Sequence, residues 1–210
     1  MTRKKKILLI AGIAAAALLI AAAAFLLWLN NTNYGFARSV PSDEMNARLR
    51  FVSAAELWLD TAEGSDGHHA IIDLYNSHEP LAQGYVVTYD DDWCATFVSA
   101  AAISCELTEQ IPTECGCQRQ IGLFQELDRW VEDDGYTPLP GDIIYYCGSD
   151  RGPGDCTGWS DHVGIVVGTA SGFIKVIEGN YRDGVHYRII PIDAPGIRGY
   201  GTPDFVGAVS

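Results

Sequence analysis

The chain has 210 residues, 48% of them hydrophobic and 20% charged, with 27 acidic against 14 basic side chains and a formal net charge of -13 at pH 7. So acidic a balance argues against nucleic acid as a partner, because phosphate binding rests on Lys and Arg. No internal repeat is visible, and the length suits one core rather than several domains.

In chain order, Arg3-Lys4-Lys5-Lys6 comes first and is followed by an uninterrupted apolar run, Ile7 to Leu29. That run is long enough to cross a bilayer core of about 30 Å as a helix. It is longer than the apolar region of a signal peptide and ends in Phe25-Leu26-Leu27-Trp28-Leu29 rather than a small-residue cleavage site, which favours an uncleaved anchor. The positive-inside rule keeps residues 1–6 cytoplasmic and puts everything beyond Asn30 outside the cell membrane. All four basic residues before Asn30 lie in that first cluster, so the outer part carries ten Lys and Arg against 27 Asp and Glu.

Residues 30–43, with Asn, Pro, Ser and Gly, read as a spacer, and 44–210 as one domain. Phe51 to Thr61 and Gly67 to Asn76 are predicted helices, Cys94 to Cys105 a third, and Ile121, Phe124, Leu127 and Val131 mark an amphipathic fourth. Strands are predicted at Asp142 to Cys147, Val163 to Gly168, Phe173 to Glu178 and Val185 to Pro191, with turns at Ala170-Ser171-Gly172 and Arg182-Asp183-Gly184. Helices first and an antiparallel sheet afterwards give an α+β fold.

Cys94 stands where Asp91-Asp92-Trp93 runs into the Ala-rich stretch Ala95-Thr96-Phe97-Val98-Ser99-Ala100. A cysteine at a helix N-terminus meets unpaired N–H groups and the positive end of the macrodipole, which favour the thiolate. His162 opens the β-branched run Val163-Gly164-Ile165-Val166-Val167, and the next run closes in Ile177-Glu178-Gly179-Asn180. Cysteine, histidine and a polar orienter on separate elements are the plan of a thiol hydrolase. Trp93, Trp159 and Tyr181 flank these residues and are candidate substrate contacts.

The quartet Trp93-Cys94-Ala95, Pro140-Gly141-Asp142-Ile143-Ile144, Asp161-His162-Val163-Gly164-Ile165-Val166 and Ile177-Glu178-Gly179-Asn180 resembles the CHAP domain, a papain-like group related to NlpC/P60 hydrolases. The resemblance covers roughly the second two-thirds of the chain, and Gly67 to Asn76 with Gly84-Tyr85 is similar to the upstream region of such proteins from Gram-positive bacteria. It implies a single papain-like domain with helices packed on an antiparallel sheet, Cys94 as nucleophile, His162 as base and later acid, and Glu178 and Asn180 as the groups that orient the imidazole. It also implies peptidoglycan as substrate, through muramoyl-alanine amidase or stem and cross-bridge endopeptidase activity. The alternative is an inactive wall-binding or partner-binding module of the same fold, against which the intact quartet argues.

Five cysteines remain beside Cys94. Cys147 and Cys156 flank a Gly-rich loop and are expected to pair outside the cell, and Cys105 to pair with Cys115 or Cys117. Cys115-Gly116-Cys117 lacks the C-x₂₋₄-C step of a zinc site. No cofactor is called for. Some members of the resembled family carry calcium, for which Asp90, Asp91, Asp92, Asp150 and Asp155 offer oxygen ligands, but they lack the spacing of a calcium loop; helix capping and turn formation account for them as well.

Overall fold

A computed structural model describes residues 19–22, 24, 40–133, 135–148, 156–206 and 208. The chain divides into two compact units, Met1–Asn33 and Tyr34–Ser210. In the first unit the described residues, 19–22 and 24, are helical. The expected basic segment, most of the expected anchor and residues 30–39 of the spacer lie outside the described residues, and among those described no helix is long and apolar enough to cross a membrane.

The second unit is α+β. Its described helices are α1 (Ser42–Glu56), α2 (Asp66–Asn76), α3 (Cys94–Ser104) and α4 (Cys117–Glu126), with a 3₁₀ turn at Ala82–Gly84. Its strands are β1 (Trp130–Val131), β2 (Ile143–Tyr146), β3 (His162–Ala170), β4 (Phe173–Glu178), β5 (His186–Pro191) and β6 (Ile197–Gly201). They form a sheet in the order β1-β6-β2-β3-β4-β5, antiparallel at every pairing.

Helix α1 starts nine residues before the predicted Phe51. Its inward face runs Ala47, Arg48, Phe51, Val52, Ala55, and the core position at 48 is held by an ion. Arg48 donates to Glu44 at 2.8 Å, to the Pro140 carbonyl at 3.0 Å and to Asp142 at 2.8 Å, so apolar periodicity stops short of the true start. Asp142 is fully buried and also accepts from Leu139 N–H and the Tyr136 hydroxyl. This accounts for Pro140-Gly141-Asp142 as the clamp that ties the entry of β2 to α1. At α4 the predicted stripe holds for Ile121 and Phe124, but Asp128 at φ 53° ends the helix, leaving Leu127 as its cap and Val131 in β1.

Strands β1 and β6 escape a periodicity reading. The sequence Ile-Arg-Gly-Tyr-Gly of β6 resembles a loop, yet it lies inside the sheet. A Cβ on Gly199 would sit 2.5 Å from the Val131 carbonyl and 2.6 Å from the Trp130 ring, so close packing requires the glycine. The β3–β4 hairpin turns through Ser171 at φ 52° and Gly172 at φ 81°, the positive-φ pair that matches strand twist.

The sheet separates two apolar clusters. Ile143, Tyr145, Val163, Ile165 and Ile177 face the helices, packing with Phe51, Ile71, Ile72, Phe97, Val98 and Phe124. Ile144, Tyr146, Val166, Val176, Ile190 and Tyr200 line the opposite face. Alternation then puts His162, Glu178 and Arg188 on the Tyr146 side.

Candidate active site

Cys94 is the first residue of α3, and the residue before it, Trp93, caps the helix without a side-chain hydrogen bond. The expected aspartate cap is absent. Asp91 instead closes a turn, accepting from Thr88 N–H at 2.7 Å and from the Tyr85 hydroxyl at 2.9 Å. The uncapped amides are left to the cysteine, and the Ala95 N–H supports its sulfur. At 5% exposure Cys94 lines a cleft of about 250 Å³ with Asp92, Cys117, Gln118, Trp159 and Asp161.

His162 begins β3. Its Nε2 is 3.1 Å from Glu178 Oε2, which leaves Nδ1 as the ring nitrogen available to Cys94. Glu178 closes β4 and is fully buried. The register pairs Ile165 with Ile177, so Glu178 stands across from Gly164 and reaches diagonally to His162. A Cβ on Gly164 would lie 2.7 Å from Glu178 Cγ and 2.6 Å from Val176 Cγ1. The Gly in Asp161-His162-Val163-Gly164 therefore makes the space through which the carboxylate passes.

The electrostatics follow from these contacts. The hydrogen bond from Cys117 lowers Cys94; burial opposes the shift, and His162 adds to it, bringing the thiol down to about 5. Burial works against a charge on His162, yet its bonds to Cys94 and Glu178 prevail and raise the imidazole to about 10. Between those limits the resting pair is thiolate and imidazolium. Cys117 is the reverse case: bonded to a thiolate and buried, it is pushed up and keeps its proton.

Behind the imidazole lies a group that sequence reading missed. Tyr146 stacks on His162 with ring centroids 5.7 Å apart and planes 25° from parallel. Its hydroxyl is buried, and burial together with the Glu178 charge raises it well above the usual phenol range. The Arg188 guanidinium lies 4.6 Å above the Tyr146 ring and 3.7 Å from Glu178 Oε1. Arg188 thus balances the buried carboxylate from the side away from His162. These two residues sit in strands with ordinary apolar or alternating patterns, and only the pairing of β2, β3, β4 and β5 brings them together.

Two expected site residues are placed elsewhere. Trp93 is fully buried, its indole 4.6 Å from the His68 ring and its N–H directed at Glu63, so it packs the core and has no surface to offer a substrate. Asn180 lies beyond the end of β4 at φ 54°, where strand alternation no longer applies, and its amide donates to Asp92 at 3.2 Å rather than to the imidazole. The other two aromatics do border the site. Trp159 is 73% exposed on the cleft, and the Tyr181 ring is 6.2 Å from that of His162.

No disulfide joins Cys105 to Cys115 or Cys117, which corrects that expected bridge, while Cys147 and Cys156 both lie beside Gly158. Cys105 donates to the carbonyls of Ala101 and Ala102 at the end of its own helix, and Cys115 bonds to Glu114. Cys117 turns to the candidate nucleophile, with its sulfur 3.5 Å from that of Cys94. As for calcium, Asp73 accepts from Tyr89, Asp91 from Thr88 and Tyr85, and Asp92 from Asn180. Among the described residues no three His, Cys, Asp or Glu side chains converge as a metal site; Asp150 and Asp155 lie outside them.

A thiolate at a helix N-terminus, an imidazolium and a buried carboxylate on neighbouring strands define a cysteine–histidine site on an α+β fold. The family model of the CHAP domain matches residues 84–180 of the chain. The matched stretch runs from the 3₁₀ turn to Asn180 and includes Cys94, His162 and Glu178, while α1 and α2 precede it. CHAP domains are typically hydrolytic, of the peptidoglycan amidase and peptidase type. The crystal structure of Ly7917 is similar over 52% of this chain at 15% identity and a TM-score of 0.34, and the similar region spans 53% of that chain. No curated protein matches.

Proposed function

We propose that the chain is a cysteine amidase or endopeptidase that cleaves an amide bond of peptidoglycan, either the muramoyl-alanine bond or one in the stem or cross-bridge. The observation that carries this reading is the geometry of the site: Cys94 at the first position of α3, bonded to a His162 ring whose Nε2 lies 3.1 Å from the buried Glu178 carboxylate, an arrangement that favours thiolate and imidazolium. The thiolate attacks the carbonyl carbon, and the developing oxyanion meets the Cys94 N–H at the start of α3. The imidazolium of His162 then protonates the leaving amine. Neutral His162 next draws a proton from water, which hydrolyses the thioester and restores the pair. Glu178 holds the ring through Nε2 in both steps, and Trp159 and Tyr181 line the approach.

An anchor at Ile7 to Leu29 would hold this domain outside the cell membrane, close to a wall that its acidic surface does not attract by charge. Sequence is the support here: the apolar run and the basic cluster before it. Fractionation should then leave the intact chain in membranes with its C-terminal part open to external protease; a soluble product that starts near the end of the run would overturn the anchor.

The reaction is tested by zymography on several peptidoglycan types, with mass spectrometry of the products to tell an amidase from an endopeptidase. Wild-type protein should clear the substrate and Cys94→Ala should not, with unchanged melting. Equal clearing by Cys94→Ala would remove the nucleophile, and a correctly folded wild type inert on every wall type would favour a binding module.

A further inference from the structure

We propose that Cys94 and Cys117 form a reversible disulfide under hydroperoxide, with Cys117 as the resolving thiol that protects the nucleophile and switches it off. This goes beyond the hydrolytic reading and is independent of which bond the site cleaves.

The two sulfurs are 3.5 Å apart, although the residues are 23 positions apart in sequence. Each is the first residue of a helix, so two helix N-termini direct their amides at one pair of thiols. Both line the 250 Å³ cleft, which gives a small oxidant access. Closing to a bond of about 2.05 Å asks for a movement of about 1.5 Å, within reach of side-chain adjustment at two helix starts. The third thiol that lines the cleft, Cys115, is bonded to Glu114, and Cys105 lies at the far end of α3, bonded to its own helix carbonyls. The protonation states also suit the exchange, since Cys94 is held as thiolate and Cys117 as thiol.

The steps balance. The Cys94 thiolate attacks one oxygen of hydrogen peroxide, a sulfur–oxygen bond forms as the oxygen–oxygen bond breaks, and the departing hydroxide takes the proton of imidazolium His162 to leave as water. Cys94 is then a sulfenic acid. The sulfur of Cys117 attacks it, a sulfur–sulfur bond forms as the sulfur–oxygen bond breaks, and the Cys117 proton leaves with the hydroxyl group as a second water. Two thiol sulfurs are oxidised and one peroxide is reduced. Attack by a dithiol such as dithiothreitol reverses the bond.

The test reads mass and so does not depend on hydrolysis. Full-length protein is treated with hydrogen peroxide, remaining thiols are blocked with N-ethylmaleimide, and unreduced peptides are mapped. A linked Cys94–Cys117 peptide pair is expected, lighter by two hydrogens and lost on dithiothreitol treatment, and Cys115→Ser should leave it formed. In Cys117→Ser the linked pair should be missing, and Cys94 should carry two added oxygens that dithiothreitol does not remove. The proposal fails if wild-type Cys94 goes to the sulfinic acid while Cys117 is still alkylated, or if Cys117 bridges to Cys115 instead. Since Cys117 supports the thiolate, each variant's activity is read only as the fraction recovered by dithiothreitol relative to its own untreated rate: nearly full for wild type, and little for Cys117→Ser.

Discussion

Cys94 depends on two neighbours of different kinds. Cys117 stabilises the thiolate by hydrogen bonding and His162 does so by bonding and charge, while burial alone would have driven the thiol the other way. The reactive ion pair exists above the thiol's value of about 5 and below the imidazolium's of about 10. Alkylation of Cys94 by iodoacetamide should therefore rise through the lower limit and stay high across neutral pH, with hydrolysis falling again as His162 loses its proton. Because the bond and charge of Glu178 raise His162, Glu178→Gln should bring the upper limb of the pH–rate profile to lower pH. An unmoved upper limb would mean that Glu178 only packs against the ring. His162→Ala should abolish fast alkylation at neutral pH.

At the level of elements, the site is the meeting of one helix start with the ends of two strands. The β3–β4 register determines whether Glu178 can reach His162, and Gly164 keeps that path open. Gly164→Ala would place a methyl within 3 Å of both Val176 and Glu178 side-chain carbons, an overpacking that costs about 1–3 kcal/mol. Hydrolysis should drop by on the order of tenfold to a hundredfold, since displacing an acid–base group forfeits part of its usual contribution. Rates measured beside thermal melts check this: a variant that melts lower yet turns over at the wild-type rate would show that Glu178 has another route to the imidazole.

Across the whole domain, the sheet is tied to the first helix through a buried ion pair. Asp142 and Arg48 are both withdrawn from water, 2.8 Å apart, with Glu44 on the other side of the guanidinium. Removing one partner of such a pair leaves a charge short of compensation, a loss of about 3 kcal/mol or more. Asp142→Asn should accordingly lower the urea midpoint of unfolding with little change in slope, and a midpoint within error of wild type would show that Glu44 alone satisfies Arg48.

The candidate site residues Cys94, His162 and Glu178 could be picked out in sequence because their placement follows from local rules: a cysteine at a helix start, a histidine and a glutamate at the boundaries of β-branched runs. The α+β class and most elements were legible for the same reason, since apolar periodicity and turn residues act over a few positions. Residues whose roles depend on long-range packing were not. Trp93 adjoins Cys94 in sequence, but the turn into α3 sends its ring into the core against His68. Asn180 follows Glu178 by two, but the chain leaves the strand between them. Arg188, Tyr146 and Cys117 carry no local mark of function. Strand pairing brings the first two behind His162, and the approach of two helix N-termini brings the third to Cys94, because contacts between residues far apart in sequence are decided by tertiary packing and not by neighbours along the chain.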